Sequence, residues 1–95
     1  MAETGNTMIR VRQMTSASGN NIANQFILND GNVEYFQSYR SIIVKREGGK
    51  ITLDNDTWDY SATTGKYRNQ FLGEGIKDTR RKIKSGEYAL DDLNG

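Results

Sequence analysis

Two dipeptides constrain the first half of this chain more than any other feature. Asp30-Gly31 separates Phe26-Ile27-Leu28 from Val33-Glu34-Tyr35-Phe36, and Gly48-Gly49 separates Ile42-Ile43-Val44-Lys45 from Lys50-Ile51-Thr52-Leu53. Each lies between β-forming runs and supplies residues that tolerate the positive φ of a tight primed turn. Two successive β-hairpins are expected. Gln37-Ser38-Tyr39-Arg40 lies between them and either bends one long strand or turns between two. With a turn the sheet has four strands, and a fifth is expected around Trp58 to Tyr60.

After Ser61 the period becomes helical. Tyr67 and Phe71 stand at i and i+4 with Leu72 beside them, polar residues fill the remaining positions, and Ser61 or Thr63 is placed to cap the free amides. Gly73 and Gly75 end this segment. A second short helix is expected to start with Asp78 as its cap, turn Ile83 inward and stop at Ser85-Gly86, where glycine suits the left-handed C′ position. Tyr88, Leu90 and Leu93 offer a return to the sheet. The expected fold is α+β: an antiparallel β-meander of about four to five strands, then two short helices packed on it.

The chain is only 35% hydrophobic, so its apolar residues must be concentrated if a core is to form. Residues 1–21 are mainly small or polar, whereas every aromatic residue lies beyond them. Residues 1–21 are therefore expected as a flexible N-terminal arm and residues 22–95 as a single α+β domain. Ile9-Arg10-Val11-Arg12 is the exception within the arm, because apolar and basic residues alternate there as in a short edge strand. A folded unit of roughly 70 to 75 residues buries only about 60% of the surface of its unfolded chain.

The chain has no histidine and no cysteine. No side chain titrates near neutrality without a large environmental shift, no thiolate is available, and carboxylates alone would have to hold zinc. Neither enzymatic activity nor a cofactor or metal is expected. No apolar run approaches the ~18 residues of a membrane span, and the N-terminus lacks the apolar stretch of a secretory signal. The expectation is a soluble intracellular protein with no membrane partner.

Thirteen Lys and Arg stand against twelve Asp and Glu, so distribution matters more than the total of +1. Lys77, Arg80, Arg81, Lys82 and Lys84 form a basic segment, and a helix there sets Lys77, Arg81 and Lys84 close to one face. Lys66, Arg68, Tyr39 and Trp58 complete the expected binding residues: cations near the first helix, and rings able to stack on bases or anchor a protein contact. A solvated helix face balanced by its acidic flanks is the competing reading of the basic segment.

Three constellations suggest chemistry and then fall short. Asp54-Asn55-Asp56-Thr57-Trp58-Asp59 has the acidic start of a calcium loop, but Trp58, Asp59 and Gly65 stand at positions five, six and twelve, where an oxygen ligand, a glycine and a glutamate are needed. Thr63-Thr64-Gly65-Lys66 at a helix start suits an anion, yet the glycine spacing of a P-loop is absent. Tyr60, Ser61 and Lys66 include a nucleophile and a base without any fixed mutual geometry.

Phe36-Gln37-Ser38-Tyr39 with Ile42-Ile43-Val44, Leu53 with Trp58-Asp59-Tyr60-Ser61, Thr63-Thr64-Gly65-Lys66-Tyr67-Arg68, Phe71-Leu72-Gly73 and Lys82-Ile83-Lys84-Ser85-Gly86-Glu87-Tyr88 together form a pattern. In these residues the segment from Tyr35 to Leu93 resembles a family of small uncharacterised proteins found chiefly in tailed bacteriophages and related mobile elements. The resemblance implies a viral origin, the host cytoplasm as location and a shared compact fold; it carries no catalytic residues. The expected function is a non-catalytic accessory protein that binds a host protein of nucleic-acid processing or antiviral defence. The alternatives are a single-stranded nucleic-acid binder using the sheet aromatics and basic helix, and a small hydrolase or transferase.

Overall fold

A computed structural model describes residues 9–95. Five strands follow one another as an antiparallel meander: β1 (Arg10–Thr15), β2 (Asn21–Asn29), β3 (Val33–Ser38), β4 (Ser41–Glu47) and β5 (Lys50–Asp54). Two helices, α1 (Ala62–Leu72) and α2 (Ile76–Ser85), then lead to β6 (Ala89–Asp91), which pairs with β5 in parallel. A parallel neighbour needs a long crossover, and the two helices supply it. The spatial order of the sheet is β1-β2-β3-β4-β5-β6. No helix among the described residues is long and apolar enough to cross a membrane.

The expected α+β class holds, with six strands instead of four or five. Three local expectations are corrected. Residues 10–15 are not an arm: they pair with β2, and Met14, only 2% exposed, joins the core. Trp58 to Tyr60 is not a strand. The buried carboxylate of Asp54 accepts from the amides of Asp56 and Thr57 and from the Thr57 hydroxyl, and the chain winds into turns through Tyr60. Asp78 is not the α2 cap, because the helix begins earlier, at Ile76 with Gly75 as its cap, and leaves Asp78 in its first turn, where a carboxylate still favours the helix dipole. Residues 1–8 of the expected arm lie outside the described residues.

Both hairpins form where expected, but the β2–β3 turn is not the tight primed turn expected: three residues separate the strands and Asp30 keeps a negative φ. The carboxylate of Asp30 accepts from the amides of Asn32 and Val33, and Gly31 takes the positive φ of 99° at the β2–β3 turn. At the β4–β5 turn both Gly48 and Gly49 have positive φ, as a primed turn demands. The segment between the hairpins turns at Tyr39 (φ 56°), whose amide donates to the Asn24 carbonyl at 2.7 Å. Ser61 caps α1 by accepting from the Thr64 amide at 3.1 Å, and Gly73 and Gly86 close the two helices in the left-handed conformation.

Cross-strand register sorts the side chains onto two faces. Ile27, Phe36, Val44 and Leu53 lie in one row beneath the helices. Phe71 of α1 stacks on Phe36 at 5.9 Å, and Tyr88 joins the same cluster from the end of the crossover. Between Phe36 and Gln37 the register shifts, so that β4 carries one extra residue and both Ile43 and Val44 are fully buried. Arg46 fastens α1 to the sheet. It pairs with Glu34, donates to the Phe71 carbonyl at 2.8 Å and lies 4.2 Å from the Phe71 ring centre.

Candidate binding surface

Of the five cations of the basic helix, Lys82 is committed to the fold and Arg80 reaches an acid outside the helix. Lys82 pairs with Glu74 at 2.7 Å, and the same carboxylate accepts from Thr79 and from the Tyr88 hydroxyl. Burial pushes the Glu74 carboxyl up, but the hydrogen bonds from Lys82, Thr79 and Tyr88 outweigh it and hold the group below its ordinary value. The Glu74 hydrogen bond raises the Lys82 pKa in turn, and burial together with Glu74 raises that of Tyr88. Arg80 pairs with Asp59 at 3.0 Å and Arg81 with Asp78 at 3.1 Å, both exposed. Lys77 and Lys84 are exposed and take no ion-pair partner among the described residues.

The other expected binding residues do not converge with them. Arg68 is 1% exposed and donates to the Trp58 carbonyl, Asp59 and Asn69 at 2.7, 3.1 and 2.9 Å, so it holds the 55–61 connection against α1 and cannot reach a partner. Asp59 bridges Arg68 and Arg80; burial opposes its charge, but those two arginines prevail and lower its pKa. Trp58 is half-buried and packs against the core, with the Arg68 guanidinium 5.5 Å from its ring. Lys66 is exposed and lies 5.4 Å from the Tyr67 ring, and Tyr39 is 48% exposed on its turn.

The weaker chemical signals resolve into structural roles. Asp54 accepts from the amide of Leu93 at 2.9 Å as well as from its own turn, tying the C-terminal segment to β5. Ser61 spends its hydroxyl on the α1 cap, so the trio of Tyr60, Ser61 and Lys66 has no base within its hydrogen bonds. Among the described residues no group of three or more His, Cys, Asp or Glu is placed to hold a metal ion.

A different surface stands out on the side of the sheet away from the helices. Register aligns Val11, Leu28, Tyr35, Lys45, Thr52 and Ala89 in one row across all six strands, with Gln13, Phe26, Gln37 and Ile42 in the next. Phe26, Leu28, Tyr35 and Ile42 are half-buried by their neighbours in the sheet and belong neither to the core nor to the residues packed on it. Val11 is 60% exposed. The helices pack on the opposite face, where Phe71 stacks on Phe36. Its one cation in the first row, Lys45, lies 3.4 Å from Glu47, so the platform is apolar and aromatic with little net charge.

Tyr35 and Phe36 are adjacent in β3, so one of them must face away from the core. Phe36 is the core residue and Tyr35 the open-face one. No curated protein and no solved structure matches the chain. Residues 9–87 match the model of a family of unknown function, DUF8033, and the chain belongs to that family.

Proposed function

We propose that this chain is a non-catalytic binding protein that engages a protein partner through the open face of its sheet. The observation that carries this reading is the row of apolar and aromatic side chains on that face, outside the core and on the side away from the helices. Six strands at a spacing of about 4.8 Å make a platform roughly 24 Å wide. A standard protein footprint of about 800 Å² per partner has a similar breadth. Tyr35 and Phe26 are of the residue classes that anchor such contacts. The paired Lys45 leaves the face without the cation array a polyanion needs, which favours a protein over nucleic acid. The resemblance to small phage proteins supplies the partner class, a host protein of nucleic-acid processing or antiviral defence.

The test uses the full chain as bait in host lysate, with and without nuclease, beside two variants. Leu28→Glu with Tyr35→Ala should keep the fold, because neither side chain belongs to the core, and should lose the captured protein. Arg80, Arg81 and Lys84 replaced together by Gln should retain it. Capture unchanged by the first variant contradicts the reading.

One observation favours a second reading on the same face. Phe26 and Tyr35 are diagonal neighbours on adjacent strands, a separation of roughly 7 to 8 Å that suits two stacked bases. Single-stranded nucleic acid would then bind with a log-log salt slope near −0.7 per phosphate contact, and nuclease would abolish the capture.

A further inference from the structure

The edge of the sheet beside this face has its own chemistry. Among the described strands β1 forms one edge and the three-residue β6 the other. An edge strand turns every second N–H and C=O outward, where another strand can pair with them. Arg10 and Arg12 stand opposite Asn29 and Ile27 of β2, while Val11 stands opposite Leu28 on the other face. The two arginines line a cleft of about 810 Å³ whose remaining lining includes Ile27, Asn29 and Asp30. Asp30 is the acid in that lining, and its carboxylate is engaged by the amides of Asn32 and Val33 at 3.0 and 2.7 Å.

We propose that the outer edge of β1 takes an extended segment of another protein as an added antiparallel strand, and that the segment alternates acidic with apolar residues. Its carboxylates would meet Arg10 and Arg12 on the helix side of the sheet, and its apolar residues would extend the Val11 row on the open side. Charge selects this occupant. A second copy of the chain pairing through the same edge sets arginine against arginine, an arrangement that destabilises a strand pair. An acidic strand turns the same two residues from a deterrent into a contact. The inference stands on the edge and its charges, and shares only Val11 with the open face.

The test is fluorescence anisotropy on the full chain with a labelled peptide, Thr-Val-Glu-Val-Asp-Ile-Thr, beside its counterpart carrying Lys at both acidic positions. The acidic peptide should bind and slow amide exchange over residues 10–15, and N-methylation of its alternate amides should abolish binding. Arg10→Glu with Arg12→Glu should weaken it at least ~10-fold, the scale of a few rim charge pairs lost and reversed, and should transfer preference to the lysine peptide. Both side chains are exposed, so the variant should keep the wild-type melting temperature. The open-face variant Leu28→Glu with Tyr35→Ala should bind the peptide as wild type does, which keeps failure here distinct from failure of the open-face reading. Equal binding of the two peptides, protection elsewhere than β1, or displacement by a single-stranded oligonucleotide as the preferred ligand overturns the proposal.

Discussion

Truncation of Met14 tests whether the N-terminal strand belongs to the folded unit. Met14 is the one buried residue of β1 and is 2% exposed, packed with Ile27 and Phe36 in the same cluster. Removing a buried Met side chain to Ala costs ~2 to 5 kcal/mol, the higher values belonging to sites that cannot collapse. As an edge strand β1 can settle partly into the void, so Met14→Ala should cost ~2 to 3 kcal/mol. At about 4 to 8 °C per kcal/mol for a domain of this size, the melting temperature should fall by roughly 8 to 24 °C. Val11→Ala is the control: its side chain is 60% exposed, and its change should stay within ~0.5 kcal/mol. Paired urea titrations followed by circular dichroism give both values. A Met14→Ala variant within ~0.5 kcal/mol of wild type would refute the placement of β1 in the core.

Three further outcomes follow from particular contacts. Phe71→Ala removes a ring that stacks on Phe36 and carries the Arg46 guanidinium, and should cost ~3 to 5 kcal/mol in the same titration. Gln25 is fully buried with neither side-chain amide atom hydrogen-bonded among the described residues, so Gln25→Met should raise stability by ~1 kcal/mol or more; a loss would show that the amide has a role its contacts do not express. Glu74, Asp54 and Asp59 all have carboxyls held below their ordinary values in the folded chain, so they bind fewer protons folded than unfolded. Their contribution is complete above about pH 5 and is lost as pH falls through about 4 towards the lowered folded values. Glu74→Gln should flatten that acid slope, and an unchanged slope would remove Glu74 from the account.

Features carried by a few adjacent residues were legible in the sequence. Asp30-Gly31 and Gly48-Gly49 mark real hairpins, and Ser61, Gly73 and Gly86 mark real helix ends because caps depend on local conformation. β1 was legible only in part: Ile9-Arg10-Val11-Arg12 alternates as an edge strand does, but Ile9 and Val11 are exposed, and Met14, its one inward anchor, is too little to set an apolar period. Trp58 to Tyr60 has strand composition, but Asp54 gathers the amides just before it into a turn. β6 is three residues long and exists through parallel pairing with a strand far back in the chain. The expected site fared similarly. Arg68 reads as an exposed helix cation and is buried because the 55–61 connection folds over it, while Arg80 and Lys82 find their acids 21 and 8 residues away. The open face needed the register of two strand pairs before Val11, Leu28 and Tyr35 became one row.

Side-chain NMR of the labelled full chain, titrated with its captured protein partner, shows directly whether the open face of the sheet is the contact surface. Shifts are expected in the methyl groups of Val11, Leu28 and Ile42 and in the rings of Phe26 and Tyr35. The Lys77 and Lys84 side chains and the core signals of Phe36 and Leu53 should hold their positions. Shifts confined to α2, with the five open-face residues unmoved at saturation, would contradict the open-face reading.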